Sequence, residues 1–330
     1  MNELTSKKVL VTGAGGFIGS HLVQRLVQEG ARVRAMIHYN SRSHWGLLED
    51  LPKQVLDEVE IIAGDVQDPF SVQKAVGGCD TVFHLASLIA IPYSYVAPQS
   101  YVMTNVLGTL NVMQACLAAG VRRVVHTSTS ETYGTALYVP IDEKHPLQGQ
   151  SPYSASKIGA DKIAESYYLS FGLPVVIIRP FNTYGPRQSA RAVIPTIISQ
   201  VHKGGVLKLG SLHPTRDLNY VSDTVEGFLR ISTAEKGIGQ VVNIGSGREI
   251  SIGELAATIM KVMGKELELV SDDQRVRPEK SEVERLLADN SKARELAGWE
   301  PRVSLSEGLQ RTVDWVLQHA SRYKHDIYNV

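Results

Sequence analysis

Cysteine is scarce in this sequence: Cys79 and Cys116 are the only two among 330 residues. Two cysteines cannot form the disulfide framework that stabilises many small secreted domains. Because Cys116 lies in an apolar helical pattern with Met113 and Leu117, we expect both thiols to be reduced, as in the cytosol. The N-terminal segment MNELTSKK leads directly into an apolar strand without a signal-peptide pattern, and we therefore predict a cytoplasmic protein.

An excess of charge is also lacking, since Lys and Arg (34) equal Asp and Glu (34). The formal net charge of +0 predicts no surface for nucleic acid or another polyanion. No uninterrupted apolar run approaches the ~18 residues that a membrane-spanning helix needs, so we expect no membrane partner. We also predict no metal site. The composition, 43% apolar and 21% charged, is that of a globular protein with one large or two modest domains.

Short apolar strands alternate with helical patterns through the first half of the chain. The strands are predicted in KVLVTG, ARVRAMI, VEIIAGDV, TVFHLAS, RRVVHTST and PVVIIRP. This alternation predicts a Rossmann-like α/β fold, a doubly wound parallel sheet with helices on both faces. After about Arg179 the pattern becomes loop-rich. We predict a first domain over residues 1–178 and a smaller C-terminal lobe over residues 179–330, some segments of which return to the first domain.

A glycine-rich turn follows the first strand. The segment GAGGFIG places Gly13, Gly16 and Gly19 between this strand and its helix. Glycines there let the backbone approach a pyrophosphate, and the helix N-terminus offers unpaired N–H groups to the phosphates. The spacing is GxxGxxG rather than GxGxxG, and a glycine triplet alone is often only a loop. Its strand–turn–helix context favours dinucleotide binding by the first domain.

The end of the second strand lacks the carboxylate that usually accepts a hydrogen bond from the adenosine ribose 2′-hydroxyl. The segment reads Ile37-His38-Tyr39-Asn40, and Arg34, His38 and Arg42 are the charged or ionisable residues nearby. Cations suit a 2′-phosphate, so the sequence leans slightly towards NADP over NAD. Solvated charges at a strand end explain the same residues equally well. Asp65, after the third strand, is placed to accept from the adenine amino group.

The segment YSASK places Tyr153 and Lys157 at i and i+4, on one face of a helix. A tyrosine with a pKa near ~10 is a poor base at neutral pH. A neighbouring ammonium, together with a positively charged nicotinamide, favours the phenolate. Tyr153 is therefore predicted to take a proton from a sugar hydroxyl while a hydride leaves. This motif is common by chance, and its weight comes from its position beyond TSTSETYG in a nucleotide-binding fold.

Taken together, GAGGFIG, the LAS of the fourth strand, TSTSETYG, YSASK, RPFNTYGPR and TRDLNYVSD resemble the extended short-chain dehydrogenase/reductases that act on nucleotide sugars. The resemblance covers nearly the whole chain. It implies a tightly bound, recycled NAD or NADP, a nucleotide-diphosphate sugar substrate, and a homodimer formed through helices near residues 100–119 and 155–171. The predicted cofactor contacts are Gly13, Gly16, Phe17, Ile18, Gly19, His38, Arg42, Asp65, Val66, Leu85, Ala86, Ser87, Asn105, Thr127, Tyr153, Lys157 and Pro180.

The predicted substrate contacts are Thr129, Asn182, Arg187, Val193, Ile194, Arg216 and Arg277. By resemblance, Asn182 contacts the substrate diphosphate. Arg216 and Arg277 are candidates for the same phosphates, because guanidinium groups pair with phosphate bidentately; solvated surface charges are the alternative. Val193 and Ile194 are predicted either to form an apolar wall for the nucleotide base or to be core residues at the start of a helix.

The reaction depends on Thr129-Ser130-Glu131. The resemblance implies that 4,6-dehydratases carry Thr-Asp-Glu here, where the Asp protonates the departing C6 hydroxyl and the Glu removes the C5 proton. This chain retains the base as Glu131 and has a hydroxyl, Ser130, in place of the acid. Simple 4-epimerases generally lack the glutamate because they never act at C5. UDP-glucuronate decarboxylases also carry Thr-Ser-Glu.

Three further segments resemble the 4,6-dehydratases of N-acetylhexosamine nucleotides in legionaminic-acid-type pathways: YNSRSHWGLLE, PLQGQSPYSASKIGADKIAESYYLSFGLPVV and NTYGPRQSARAVIPTIISQ. We therefore predict a 4,6-dehydratase of a UDP- or GDP-N-acetylhexosamine, with N-acetylglucosamine favoured. Tyr153, held by Lys157 and assisted by Thr129, is predicted to deprotonate O4, and Glu131 to deprotonate C5. The alternatives are a UDP-glucuronate decarboxylase, a 5,6-ene-forming dehydratase, a 4-epimerase and a non-catalytic nicotinamide-sensing regulator.

Overall fold

The computed structural model describes residues 3–276 and 278–323. The strands are β1 Lys8–Thr12, β2 Arg32–His38, β3 Val59–Gly64, β4 Thr81–His84, β5 Arg123–Thr127, β6 Val175–Pro180, β7 Asn182–Tyr184, β8 Leu207–Leu209, β9 Thr215–Tyr220, β10 Val241–Ile244, β11 Glu249–Ser251 and β12 Leu269–Ser271. The helices are α1 Phe17–Gln28, α2 Lys53–Leu56, α3 Pro69–Val76, α4 Ile91–Val96, α5 Pro98–Tyr101, α6 Gly108–Ala119, α7 Pro152–Phe171, α8 Val193–Lys203, α9 Val221–Thr233, α10 Ile252–Val262, α11 Ser291–Ala297 and α12 Leu305–Gln318. A π-helical segment, Val102–Leu107, joins α5 to α6.

The largest sheet has seven strands in the order β10-β6-β5-β4-β1-β2-β3, and all of its pairings are parallel. The chain first runs from β1 outwards to β3 and then returns to place β4 on the other side of β1. The order therefore reverses between β1 and β4, which is where ligands bind in open parallel sheets. The predicted doubly wound, Rossmann-like fold is confirmed.

Both faces of the large sheet are covered. Successive side chains of a strand point to opposite faces, and in β1 the fully buried Val9 and Val11 join a core that includes Leu22 of α1. Leu10, between them, joins a second core that includes Val112 and Cys116 of α6. Because neither face is solvated, the strands are nearly continuous apolar runs, as the sequence predicts for a parallel sheet between helices.

The C-terminal lobe contributes two small sheets, β11-β9-β7 and β12-β8, with α8, α10 and α12 packed around them. β10 does not belong to these sheets, since it pairs with β6 at the edge of the large one. The predicted boundary at residue 178 falls inside β6, and it stays a prediction. The chain thus returns to the large sheet after entering the C-terminal part.

One helical stretch, Pro98–Ala119, is long and apolar enough to cross a membrane by length and composition, with a hydropathy of 1.3. The expectation that no segment would reach this limit is therefore wrong. The stretch includes α6, however, whose Val112, Met113 and Cys116 are fully buried in the second core. Core helices of globular proteins pass the same test, and the packing of α6 is of that kind.

Both cysteines are free and buried. Burial raises the pKa of the Cys79 and Cys116 thiols above the ordinary value. Because the thiolate is the reactive form, neither side chain is suited to nucleophilic chemistry.

A capping box fixes the start of α7, the helix that carries Tyr153 and Lys157. Ser151 Oγ accepts a hydrogen bond from Ser154 N at 3.1 Å, and Ser154 Oγ accepts one from Ser151 N at 3.0 Å. These bonds satisfy N–H groups that have no partner within the helix. Gly172 ends the helix in the left-handed conformation, with φ 69°. The sequence thus determines both ends of α7.

We expect Ser151→Ala to lower the free energy of unfolding by about 1 kcal/mol, because the cap bond is lost. Urea titration measures the change, and amide hydrogen exchange should rise in the first turn of α7. Ser251→Ala is the matched control, because Ser251 and Glu254 form a capping box on α10. It should cost a similar amount but increase exchange at α10 instead. An unchanged exchange rate at α7 in Ser151→Ala would contradict this role.

Candidate active site

The candidate site lies at the carboxyl ends of β1, β4, β5 and β6, where the strand order reverses. The loop after β4 is tied to the end of β1, because Leu85 N and Ala86 N each donate to Thr12 Oγ1 at 3.1 Å. The next residue, Gly13, has φ 67° and approaches the same loop so closely that an added Cβ would lie 2.7 Å from Ala86 N. Only glycine fits there, since both the backbone conformation and the space exclude a side chain.

The rest of the glycine-rich turn is equally close-packed. A Cβ on Gly19 would lie 2.3 Å from Gly13 O, so the turn can fold against α1 only if residue 19 is glycine. Gly16 is the N-cap residue of α1, and no side chain caps this end of the helix. Within the described residues, the first N–H groups of α1 are thus left for an anion, as the sequence predicts for a pyrophosphate.

Arg34 does not lie where the sequence analysis placed it. Its Nη1 donates to Ala75 O at 2.6 Å and Gly77 O at 3.0 Å, and its Nη2 lies 2.9 Å from Glu60 Oε1. The guanidinium therefore satisfies carbonyl groups at the end of α3, a position that favours a cation. Arg34, which the sequence offered as one of three nearby cations and not as a cofactor contact, is therefore unavailable to a 2′-phosphate. One of the three residues that favoured NADP over NAD is therefore engaged elsewhere in the protein.

His38 and Arg42 remain near the adenosine end and are exposed. His38 Nε2 lies 3.4 Å from Asp65 Oδ2, which brings two predicted cofactor residues together. The loop that carries Arg42 is organised by Asn40, whose Oδ1 accepts from Arg42 N at 3.2 Å and from His44 N at 3.0 Å. The same side chain donates through Nδ2 to His44 O at 2.7 Å. Asn40 therefore fixes the conformation of the loop beside the predicted adenosine site.

Asn105, a predicted cofactor contact, is hydrogen-bonded within the protein, and its contact with the cofactor stays a prediction. It is buried, and its Oδ1 accepts from Ser87 Oγ at 2.9 Å and Leu88 N at 2.8 Å. Its Nδ2 donates to Leu88 O at 3.0 Å and Ser156 Oγ at 2.9 Å. All four hydrogen-bonding positions of the amide are used inside the protein. Asn105 therefore holds the loop after β4 against α7. Val66 is also buried, in the second core, and its contact with the cofactor stays a prediction.

The end of β5 turns into a short 3₁₀ helix, Ser130–Tyr133. Thr129 is its N-cap, and Thr129 Oγ1 accepts a hydrogen bond from Glu131 N at 3.2 Å. Ser130 is 1% exposed and Glu131 9% exposed, so both lie inside the protein. Thr127 Oγ1 is buried and has no hydrogen-bond partner among the described residues. A buried hydroxyl without a partner is unfavourable, and a ligand that contacts it would remove the penalty.

Tyr153 and Lys157 meet this strand end from α7. Lys157 Nζ donates to Thr127 O at 2.6 Å. The side chains of Tyr153 and Lys157 are both buried. Burial raises the pKa of Tyr153 well above the ordinary value; the hydrogen bond with Thr129 opposes this change, and the charge of Glu131 adds to it. Burial lowers the pKa of Lys157 to about 8. In the protein alone, burial thus raises the pKa of Tyr153 by more than the Lys157 ammonium was expected to lower it. The predicted catalytic residues nevertheless lie together.

Asp161 is a site residue that the sequence analysis missed. It lies one turn beyond Lys157 on the same face of α7 and is 2% exposed. Its carboxylate accepts from Ser128 Oγ at 2.7 Å and from Arg179 Nη2 at 2.9 Å, and His126 Nε2 lies 3.2 Å away. The i, i+4, i+8 spacing of Tyr153, Lys157 and Asp161 was the available signal in the sequence.

On the substrate side, the predicted residues divide into two groups. Asn182 Nδ2 is buried without a hydrogen-bond partner among the described residues, which suits a ligand contact. Arg216 is buried, and its Nη2 donates to Glu282 Oε1 at 3.0 Å. Arg216 is thus not a solvated surface charge. Arg277 lies outside the described residues.

Two other substrate predictions are not supported by the contacts. Arg187 Nη2 donates to Gln24 Oε1 at 2.8 Å, so its guanidinium joins its loop to α1. Ile194 is 1% exposed and belongs to the large core, which is the alternative interpretation given above. Val193 is partly buried and packs against the same core. The start of α8 is therefore chiefly a packing element.

The residues present fit a nicotinamide dinucleotide. The turn at Gly13 and Gly19 leaves no room for side chains, the N-terminus of α1 lacks a cap, and Thr127 Oγ1 lacks a partner. Beside this cradle lie a tyrosine and a lysine on one helix face. These features define a nicotinamide-dependent enzyme of the short-chain dehydrogenase/reductase class.

Comparison with known proteins specifies the class further. A family model described as GDP-mannose 4,6 dehydratase matches residues 10–312. A UDP-glucose 4-epimerase of Mycolicibacterium smegmatis is 35% identical over 93% of this chain and 98% of its own length. A dTDP-glucose 4,6-dehydratase of Streptomyces antibioticus is 33% identical over 93% of this chain and 91% of its own.

Solved structures agree with these relatives. A dTDP-glucose 4,6-dehydratase from Streptomyces venezuelae, solved with NAD bound, has a TM-score of 0.84 at 30% identity and covers 96% of this chain and 99% of its own. A UDP-N-acetylglucosamine 4-epimerase from Methanobrevibacter ruminantium has a TM-score of 0.86 at 30% identity, with the same coverage of both chains. The chain belongs to the NAD-dependent epimerase/dehydratase family, the extended short-chain dehydrogenase/reductases, and is an enzyme of the nucleotide-sugar 4,6-dehydratase kind.

We expect Gly19→Ala to lose bound cofactor, because the new methyl group would meet Gly13 O and displace the turn from the pyrophosphate position. Denaturing the purified protein and quantifying the released nucleotide measures the change, which should exceed about tenfold. Gly77→Ala is the control, since its Cβ would meet its nearest neighbour at 3.5 Å, an ordinary contact. Full cofactor content in Gly19→Ala would show that the turn does not hold the pyrophosphate.

Proposed function

We propose that the protein is a nucleotide-sugar 4,6-dehydratase that converts a UDP- or GDP-N-acetylhexosamine, N-acetylglucosamine first, to its 4-keto-6-deoxy form. The observation that carries this proposal is Glu131, a buried carboxylate beside Tyr153 at the end of β5. Burying a carboxylate costs stability unless it is paired or hydrogen-bonded, so a catalytic role explains why one is kept here. A 4-epimerase has no step that needs a base at C5, whereas a dehydratase does.

The chain's own residues can be assigned to the steps in order. Tyr153 takes the proton from O4, with Thr129 hydrogen-bonded to its hydroxyl and Lys157 in the next turn of α7. When bound, the nicotinamide supplies hydride chemistry, as acceptor from C4 and donor to C6. Glu131 removes the C5 proton, which the C4 ketone makes acidic. The C6 hydroxyl leaves as water with a proton relayed from solvent, which receives in exchange the proton that Tyr153 took from O4. Glu131 then returns its proton to C5. Because the hydride removed from C4 returns to C6, no net electrons are consumed.

Ser130 leaves the departure of the C6 hydroxyl without a carboxylic acid. Ser130 is 1% exposed, and it lies between the N-cap Thr129 and Glu131. A serine hydroxyl is a far weaker acid than a carboxyl group, and its part is to hydrogen-bond the leaving oxygen rather than to protonate it. Loss of carbon dioxide from a glucuronate needs no acid at C6, which is why the decarboxylase is the second candidate.

We propose NAD rather than NADP as the resident cofactor. The support is the loss of Arg34 from the adenosine site, together with the NAD bound in the dehydratase of similar structure. The proposed reaction takes place in the cytoplasm, where nucleotide cofactors are available. A homodimer through the helical stretch 100–119 and α7 is supported by exposed apolar side chains on these elements: Val102 of the π-helical segment is 52% exposed, and Leu169 and Phe171 of α7 are 72% and 59% exposed.

A panel of nucleotide sugars tests the reaction directly. We expect UDP- or GDP-N-acetylglucosamine to lose one water and gain a C4 ketone and a C6 methyl group, as seen by mass spectrometry and NMR. In deuterium oxide the product should carry deuterium at C5, because the base exchanges its proton with solvent. Carbon dioxide released from a glucuronate nucleotide would instead establish the decarboxylase. A dehydrated product without a carbonyl would establish the 5,6-ene, and a C4 epimer the epimerase.

The variants Glu131→Gln and Ser130→Ala test the role of the base and the role of the neighbouring hydroxyl separately. We expect Glu131→Gln to lower kcat by about 10²-fold or more, because it removes the C5 base, and Ser130→Ala to lower it by less than about tenfold. Initial rates of ketone formation measure both. Tyr153→Phe is the control, since it should block the reaction before C5 is touched. Equal losses in the two variants would show that Ser130 is the acid, and an active Glu131→Gln would place the base elsewhere.

A further inference from the structure

Asp161 is the centre of a buried network directly beneath the catalytic helix face. Its partners come from two strands: His126 and Ser128 belong to β5 and its exit, and Arg179 belongs to β6. The carboxylate itself belongs to α7. One side chain thus joins the helix that carries Lys157 to the strand end that carries Thr127 and Glu131.

The network keeps Asp161 ionised despite its burial. Burial by itself would raise the pKa of this carboxyl, but the hydrogen bond with His126 and the charges of Arg179 and Lys157 prevail and lower it to about 2. Arg179 is held in turn by the ring of Tyr133, with its guanidinium carbon 4.8 Å from the ring centroid. A buried carboxylate with this many donors is a permanent negative charge at any pH at which the enzyme works.

Among the charged and titratable groups around Lys157, Asp161 is the one that favours the charged form of the ammonium. His84 of β4 and His126 of β5 are buried, and burial lowers the pKa of both, so they are neutral. Arg179 is engaged with Asp161. Burial lowers the pKa of Lys157, and Asp161 opposes this effect. Tyr153 and Glu131, the remaining titratable groups at this strand end, interact electrostatically with each other.

We propose that Asp161 is a positioning residue that keeps the Lys157 ammonium charged and aligned with Thr127 O, and thereby supports proton transfer from the substrate to Tyr153. Asp161 and Lys157 are linked through the end of β5. Ser128, which is hydrogen-bonded to Asp161, directly follows Thr127, which accepts the hydrogen bond from Lys157. The proposal rests on the proposed function only for the deprotonation of O4. That step is common to the dehydratase, decarboxylase and epimerase alternatives.

Asp161→Asn tests this role because the change is nearly isosteric and removes the charge. We expect the alkaline limb of the kcat–pH profile to move to lower pH by about one unit, since Lys157 loses its proton more easily. At pH 9 the rate should fall about tenfold, whereas at pH 6 it should change little and KM should stay within about threefold. A loss of rate that is uniform across pH, or an unmoved limb, would overturn the proposal.

Two further variants separate charge from position and from stability. Asp161→Glu keeps the charge but moves it by one methylene, so kcat should fall at every pH while the alkaline limb stays in place. A shifted limb in this variant, or a rate equal to that of the wild type, would contradict the role even if Asp161→Asn does not fold. Asp223→Asn is the matched control: Asp223 is buried, and its carboxylate accepts from Arg302 N and Val303 N, far along the chain from Lys157. It should cost stability without moving the limb.

A second measurement does not depend on the sugar. Lys157 is among the predicted cofactor contacts, so the affinity of the cofactor-stripped protein for NAD should fall with rising pH, and earlier in Asp161→Asn than in the wild type. Isothermal titration calorimetry at pH 6 and pH 9 measures this. If no nucleotide sugar is converted, the proposed function fails while this measurement still decides the role of Asp161. Identical pH dependence in both proteins would overturn it.

Discussion

The hydrogen bond from Lys157 Nζ to Thr127 O joins α7 to the end of β5, and the rest of the site is arranged around it. The strand register brings β5 beside β4 and β6, so their loops meet at one edge of the sheet. The helix contributes Tyr153 from one turn earlier and Asp161 from one turn later. A single short contact between a buried ammonium and a carbonyl therefore sets the distance between the tyrosine and the glutamate of the strand end.

Local patterns predicted the parts of this site that depend on local geometry. The glycine-rich turn follows from the backbone conformation and space at Gly13 and Gly19, and the helix face follows from the i, i+4 spacing of Tyr153 and Lys157. The alternation of apolar strands and helices determines the doubly wound sheet, because each strand must bury both of its faces. These features need only neighbouring residues, and the sequence displays them directly.

The contacts that the sequence did not reveal depend on partners far away in the chain. The sequence places Arg34 among the cations near the end of β2, but the carbonyl groups that it satisfies belong to the end of α3. Asn105 has its four partners in the loop after β4 and in α7. The hydrogen-bond partners of Asp161 lie on β5, on the residue after it and on β6. A polar side chain in a buried position must find its donors and acceptors in three dimensions, and no periodicity in the sequence reports where they are.

The loop organised by Asn40 and the strand beside it differ in the substitutions that they can accept. Its shape comes from hydrogen bonds within residues 40–44, whereas Arg34 is bound to the ends of α3 and to Glu60. The loop is thus held by its own side chain, and the segment after it packs on the glycine-rich turn through the hydrogen bond from Leu47 N to Gly15 O at 2.9 Å. Substitutions at exposed loop positions such as Arg42 can alter the local charge without disturbing the strands, while a change at Arg34 would leave buried carbonyl groups without their donor. The surface charge at this end of the sheet can therefore vary while the sheet beneath it stays the same.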